Sequence, residues 1–359
     1  MSERDLMTAA LDAVAGGEDL PAERASAVMA QIMAGEVSEI QIAGFLIALR
    51  TKGETVEELA GLAATMRALV TPVRVDRRDL LDTAGTGGGR RTFNVSTTTA
   101  LIAAGAGCTV AKHGNRSATG LSGSADLLEA LGARIDLDPG QVARCIEEAG
   151  FGFMFAPAHH QATRYVVPVR RELAVRTIFN FLGPLTNPAG AERQLIGVSD
   201  ARYLETMALA LERLGTVHAL AVSSHDGLDE LSISAPTEVF EVGGDGAAGV
   251  GGSGSGRGYR ITPEEVGLQR APADAIPGGD PAQNAAITRA VFAGEPGPAR
   301  DLSVLNAGAA IYAGGRAGSL ADGVTAAQAA IDSGAAREAL ERFVAATHRL
   351  ARERELAGS

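Results

Sequence analysis

Between Gly85 and Asp126 the chain carries three turns rich in glycine or hydroxyl groups, each beside an apolar run: Gly85-Thr86-Gly87-Gly88-Gly89, Lys112-His113-Gly114-Asn115-Arg116-Ser117 and Gly123-Ser124-Ala125-Asp126. Arg90, Arg91, Lys112 and Arg116 lie among them. Glycine lets backbone N–H groups approach oxyanions, and hydroxyls and cations complete the coordination, so this is the chemistry of a surface that wraps a polyphosphate. Thr92, Asn94, Ser96 and Thr97 stand just before an Ala-rich stretch read as a helix over 100–107. With that helix's N-terminus they make an anion cradle, or else a set of capping residues. The Lys112–Ser117 run follows a buried strand read over 108–111, and ligands of parallel sheets bind beyond the carboxyl ends of strands. The competing reading of that run is a solvated loop, and His113 is assigned no proton transfer.

Two further groups have chemical potential. Asp229 and Glu230 lie in His225-Asp226-Gly227-Leu228-Asp229-Glu230-Leu231-Ser232, after a strand read over 219–222. In a loop both carboxylates can turn inward and hold Mg²⁺, which takes one or two carboxylates plus phosphate and water. Taken without a phosphate pocket, the pair is a solvated turn. Arg170, Arg171 and Arg176 fall on one helix read over 168–181, with Ile178-Phe179-Asn180-Phe181 beside Arg176. An arginine fork against an aromatic wall can grip an aromatic carboxylate, or be an ordinary surface arginine.

The elements that must position these groups divide in two. Residues 1–70 read as helices, with capping boxes at Ser38 and Thr55 and no strand-like alternation. After Pro72, strands alternate with helices, which argues for a mostly parallel sheet. The segment 168–192, ending in the rigid turn Gly183-Pro184-Leu185-Thr186-Asn187-Pro188, breaks that rhythm and returns to the helical part. The expected fold class is α/β, with a small all-helical domain (1–73, plus 168–192) hinged to a larger α/β domain (74–167 and 193–359). The segment 243–258 is nearly all Gly, Ala and Ser and reads as a surface loop. A net charge of −11 over 359 residues argues against bulk binding to nucleic acid or acidic membrane, while leaving room for a local basic pocket. Cys108 and Cys145 read as buried, reduced thiols. No signal peptide or long apolar run is evident, so a cytoplasmic location is expected.

Together the motifs GTGG (85–88), TFNVST (92–97), KHGNRS (112–117), GSAD (123–126), RTIFNFLGPLTNP (176–188) and DGLDELS (226–232) make the chain resemble the anthranilate phosphoribosyltransferases over nearly its whole length. The resemblance implies transfer of the phosphoribosyl group of phosphoribosyl pyrophosphate (PRPP) to the amine of anthranilate, with release of pyrophosphate. It implies PRPP contacts from Gly85, Gly88, Gly89, Thr92, Asn94, Val95, Ser96, Thr97, Lys112, His113, Gly114, Asn115, Arg116, Ser117, Thr119, Gly120 and Ser124. Gly85, Asn115 and Arg176 would meet anthranilate. Ser96 with Glu230, and Asp229 with Glu230, would each serve one of two Mg²⁺ ions. A homodimer through the helical domain, and no nucleic acid or membrane partner, also follow from it. No dedicated acid or base is expected, because an aryl amine is already neutral and nucleophilic at pH 7.

The chain departs from the family pattern in four places. The family has GTGGDG before TFN, whereas here one residue and its carboxylate are missing after Gly88. Thr119-Gly120 replaces Ser-Ser, Gln161 and Thr163 replace Pro and Met, and Ala174 replaces Gly. The missing carboxylate is expected to alter PRPP or magnesium affinity and leave the reaction intact. Gln161, Thr163 and Ala174 leave open another aromatic acceptor. A nucleoside phosphorylase of the same architecture would lack KHGNR and the second metal's carboxylates. A non-catalytic nucleic-acid-binding paralogue would need a basic groove.

Overall fold

The computed structural model describes residues 3–77, 79–117, 120–244 and 256–357. Thr119 and most of the glycine-rich segment therefore lie outside the described residues. The chain opens with helices α1 (Glu3–Ala15), α2 (Ala22–Ala34), α3 (Glu39–Lys52) and α4 (Val56–Leu69). Both expected capping boxes form, with Ser38 and Thr55 accepting from the N–H groups of Gln41 and Glu58. Glu58 is wholly buried and does more than cap: it also accepts from Leu20 N–H and Lys52 Nζ, each at 2.9 Å, tying α3, α4 and the α1–α2 connection at one point.

The remainder runs β1 (Leu80–Gly85), α5 (Val95–Gly105), β2 (Thr109–Gly114), α6 (Ser124–Ala130), α7 (Pro139–Ala149), β3 (Phe151–Phe155), α8 (Ala156–His159), α9 (Val167–Leu173), α10 (Phe179–Leu185), β4 (Arg193–Gly197), α11 (Leu204–Arg213), β5 (His218–Ser224), β6 (Thr237–Gly243), β7 (Arg257–Ile261), α12 (Pro281–Phe292), α13 (Pro298–Ala313), α14 (Leu320–Asp332) and α15 (Ala335–Ala357). One seven-stranded sheet has the order β3-β2-β1-β4-β5-β6-β7. Its pairings are parallel from β3 through β5, and β6 and β7 are antiparallel. Leu220 and Val222 of β5 join the core shared with α5 and α13 to α15, while Ala219 and Ala221 join the core shared with α11 and the helical bundle. This period of two is what a strand buried on both faces requires.

Four expectations need correction. Helix α5 begins at Val95, not near residue 100, so Ser96 and Thr97 lie in its first turn; Thr97, Thr98 and Thr99 are fully buried and cannot form a solvent-facing cradle. The helix expected over 168–181 is two helices, because Ala174 ends α9 in the left-handed conformation at φ 52°. Arg176 therefore does not share a helix with Arg170 and Arg171. Gly183-Pro184-Leu185 lies inside α10 rather than in a turn. Strands β6 and β7 and helices α12 and α13 were not anticipated, because α13 is apolar almost all round and shows no amphipathic period. Both cysteines are buried, which pushes their thiols up to about 12. No helix among the described residues is long and apolar enough to cross a membrane.

Arg67 of α4 joins the helical bundle to the sheet layer. Its Nε donates to Leu185 O at 2.6 Å and its Nη1 to Leu214 O at 3.1 Å, at the C-terminal ends of α10 and α11. Burial lowers this guanidinium to about 10, and two helix C-termini supply the negative potential in place of a carboxylate. Arg67→Met should cost about 1–3 kcal/mol by leaving those carbonyls without donors, seen as a lower denaturation midpoint. Ala174→Gly should do the reverse and stabilise by about 0.5–1 kcal/mol, since an L-residue's left-handed strain exceeds glycine's entropic penalty. An unchanged or lower midpoint for Ala174→Gly would refute the strain at that position.

Candidate active site

Strands β1 and β4 pair in register, with Gly85 opposite Gly197. From β1 the sheet grows one way to β2 and β3 and the other way to β4 and β5, so a crevice opens beyond the carboxyl ends of β1 and β4. The acidic loop fills its mouth. A Cβ on Gly197 would overlap the Asp229 carbonyl, one on Gly85 would come 2.8 Å from Asp229 Oδ2, and one on Gly89 would come 2.7 Å from Asp229 Oδ1. Gly87 and Gly88 take φ of 66° and 80°, which turns their peptides into the crevice. Gly87 N–H donates to Asp229 Oδ2 at 2.9 Å, and Gly87 O accepts from Arg176 Nη1 at 2.7 Å. A side chain on Gly88 would overlap the Arg176 guanidinium. Three sequence-distant candidates, the glycine turn, Arg176 and Asp229, thus meet at one residue, Gly87. Arg176 Nη2 and the neighbouring Thr177 Oγ1 are buried with no partner among the described residues.

Glu230 lies near the Ser96 N–H at the start of α5, which favours its anion only weakly. Burial and the adjacent Asp229 charge push its carboxyl well above the usual range, against the pull of Lys112. Burial also raises Asp229, despite its bond from Gly87 and the nearby Arg176. Two carboxylates held against their own charge are short of a cation. Among the described residues no cluster of three or more His, Cys, Asp or Glu side chains could hold a metal by itself. The donor set of two carboxylates and the Ser96 hydroxyl suits magnesium, which keeps open positions for phosphate and water.

Lys112 sits in β2 rather than in a loop, and it is 1% exposed. Its Nζ donates to Thr83 O at 2.5 Å and to Thr83 Oγ1 at 3.2 Å, and lies 3.4 Å from Ser96 Oγ. It braces β1 against α5 from inside. His113 Nε2 lies 3.2 Å from His160 Nε2, and burial lowers both rings, His160 to about 4. Gly114 lets Ser124 approach, for a Cβ there would stand 3.0 Å from Ser124 Cβ. Asn115 Oδ1 accepts from Arg116 N–H. The Arg116 guanidinium pairs with Asp126 at 2.8 Å and Glu129 at 2.5 Å, and Ser117 Oγ accepts from Gly120 N–H. Asn94 caps α5 without a side-chain capping bond; instead it joins Ser122 and Asn284. The Thr92 hydroxyl donates to Phe93 O, and Val95 can offer only its main chain because its side chain is buried. Of the cations expected to surround a phosphate, Lys112 is buried and Arg116 and Arg90 are already ion-paired.

Two supports escaped the sequence reading. Asp82 is fully buried and accepts from His113 N–H and Asn187 Nδ2, and Asn187 also bonds Ala111 O. Asn187 thereby pins the end of the 176–188 segment to β1 and β2. Arg170, which the sequence reading set on one helix with Arg176, lies on α9, where its guanidinium is 5.6 Å from the Phe179 ring centroid and forms no ion pair among the described residues. Burial lowers its pKa, so it is a cation short of an anion. The alternation of apolar residues carries no trace of such partnerships.

Family models describe the same division of the chain: a glycosyl transferase helical bundle domain matches residues 8–70 and a glycosyl transferase a/b domain matches 77–337. The anthranilate phosphoribosyltransferase of Symbiobacterium thermophilum is 52% identical over 97% of this chain and 99% of its own length. That of Rubrobacter xylanophilus is 51% identical over 96% of this chain and 99% of its own. The crystal structure of the Thermus thermophilus enzyme is 49% identical and superposes with a TM-score of 0.87, covering 94% of this chain and 99% of that one. The Saccharomyces cerevisiae enzyme in complex with PRPP and Mg is 25% identical with a TM-score of 0.85, covering 97% of this chain and 99% of that one. With half its residues shared along almost its full length, and with the same two-part fold, the chain belongs to the anthranilate phosphoribosyltransferases, which transfer the phosphoribosyl group of PRPP to the amine of anthranilate.

Proposed function

We propose that PRPP lies in the crevice beyond β1 and β4, against Gly85, Gly88, Gly89, the Thr92–Thr97 segment, the Lys112–Ser117 run, Gly120 and Ser124. The observation that carries this reading is the meeting of Gly87, Arg176 and Asp229 at the topological switch point of the sheet. Ser96 and Glu230 would hold one magnesium ion, and Asp229 and Glu230 a second. Bound there, the metal supplies positive charge against the departing pyrophosphate.

The reaction forms a bond between the anthranilate nitrogen and the anomeric carbon, breaks that carbon's bond to pyrophosphate, and frees one amine proton. The aryl amine needs no activation, so the protein's work is to position the reactants and to stabilise the leaving group. The glycine turn and the start of α5 offer main-chain N–H groups to oxyanions. Lys112 acts from beneath, fixing Thr83 and Ser96. Asn115, Gly85 and Arg176 would orient anthranilate. A second reading of the carboxylate anchor is favoured by one observation: Arg176 already serves Gly87, whereas Arg170 stacks on Phe179 without a counterion.

The same reading assigns 1–73 and 168–192 to a helical domain and 74–167 with 193–359 to the PRPP-binding domain. Homodimerisation through the helical part is supported by α3, where Ile40 is 85% exposed and Ile47, two turns on along the same face, is 37% exposed.

Arg170→Ala and Arg176→Ala tell the two anchors apart. The true anchor should raise the KM for anthranilate by roughly 30-fold or more, consistent with about 2–4 kcal/mol for a desolvated ion pair, and leave the KM for PRPP nearly unchanged. An unchanged anthranilate KM removes that arginine from the role. Glu230→Gln should raise the magnesium concentration needed for half-maximal rate by at least tenfold. Because burial raises Asp229, and raises Glu230 well above its ordinary value, and only the anions bind metal, apparent magnesium affinity should fall with decreasing pH while ordinary carboxylates are still ionised. A magnesium requirement that is flat across mildly acidic pH would contradict the assignment.

A further inference from the structure

Arg90 and Arg91 occupy the stretch where the family's loop carboxylate is missing. Arg90 does not face the crevice as a free cation. Its Nη2 pairs with Asp226 Oδ2 at 3.0 Å, its Nη1 donates to Ala273 O at 2.6 Å, and its main-chain N–H donates to Gly227 O at 2.7 Å. Side-chain exposure at the pair is 24% for Arg90 and 13% for Asp226. Asp226 is itself braced, accepting from Ser224 Oγ at 2.5 Å and Ser232 Oγ at 2.8 Å. One residue before Arg90, the Gly89 Cα packs so closely that a Cβ would stand 2.8 Å from Gly227 O and 2.9 Å from Asp229 N. The glycine turn and the acidic loop therefore touch along Gly89–Arg90 on one side and Gly227–Asp229 on the other.

We propose that Arg90 is a positioning residue that fastens the glycine turn to the acidic loop, fixing the phosphate-binding N–H groups at a set distance from the carboxylates of Asp229 and Glu230. The inference rests on the reading of those carboxylates as magnesium ligands. Two physical consequences follow. The guanidinium cancels the Asp226 charge, so the loop presents Asp229 and Glu230 as its incompletely compensated anions. The planar fork also spans two acceptors, Asp226 and the Ala273 carbonyl, in a way a lysine ammonium cannot reproduce. The shortened turn has lost its own acidic side chain, and this ion pair holds it in register from outside.

The test compares Arg90→Met, Arg90→Lys, Asp226→Asn and the double variant Arg90→Met/Asp226→Asn in steady-state kinetics, with magnesium, PRPP and anthranilate each varied. Arg90→Met should raise both the magnesium half-saturation and the KM for PRPP by about tenfold, as loss of a partner that orients metal ligands commonly does. The KM for anthranilate and the Tm should stay near wild type. Arg90→Lys should fall between, and the double variant should be no worse than Arg90→Met, because the two residues act as one unit. Wild-type magnesium and PRPP values in Arg90→Met would overturn the proposal. So would a parallel rise in all three constants with a lowered Tm, which would mark Arg90 as a general structural residue. Should Arg90→Met fail to fold, Arg90→Lys is read by the same criteria. Glu230→Gln in the same titration keeps the two readings apart: insensitivity to magnesium there would remove the metal assignment alone, and the KM for PRPP would then decide the case of Arg90.

Discussion

Gly85 and Gly197 end adjacent strands side by side, and neither can carry a side chain, because Asp229 occupies the space a Cβ would need. Much of the site depends on that exclusion. It brings a loop from beyond β5 across the mouths of β1 and β4. It sets Asp229 where Gly87 N–H can reach it, and it leaves Glu230 facing the first turn of α5. A methyl group at Gly197 would push the acidic loop off the sheet, and one at Gly85 would displace the Asp229 carboxylate. Asp229 would then lose its bond from Gly87 N–H.

Around that contact the electrostatics are arranged in layers. Beneath it, Lys112 and Asp82 are buried within the sheet and spend their polar atoms on Thr83, His113 N–H and Asn187. Buried charges with complete hydrogen bonding specify one geometry more than they add stability. At the crevice, Asp229 and Glu230 keep charges that the protein does not fully compensate, while Arg170, on α9, is a half-buried cation over Phe179 with no ion pair among the described residues. An enzyme whose acceptor amine is already nucleophilic has more use for unsatisfied anions and cations than for a proton shuttle.

The helical part is joined to the sheet layer by polar bonds as well as by packing. Arg67 spans the ends of α10 and α11, Tyr203 OH donates to Glu54 Oε2 at 2.7 Å, and Arg50 Nη1 donates to Arg176 O at 2.9 Å. The last bond matters most for function, since it fixes the main chain of a residue whose side chain reaches the glycine turn.

Much of this was legible in the chain itself. Turn-forming glycines, capping boxes at Ser38 and Thr55 and the alternation of strands with helices are local signals, set by backbone sterics and side-chain reach over a few residues. They gave the fold class, the helical N-terminal part and the motifs that collect at the crevice. The partnerships were not legible, because they join residues remote in sequence. That Lys112 is buried under Thr83, that Arg90 and Arg116 are spent on carboxylates, that Ala174 separates Arg170 from Arg176, and that α5 starts with buried threonines all depend on which surfaces meet. A sequence determines which groups are able to bind an anion or a metal. Only the packing of strands and loops decides which of those groups the protein satisfies internally and which it leaves for a ligand, since that depends on desolvation and on distances across the fold.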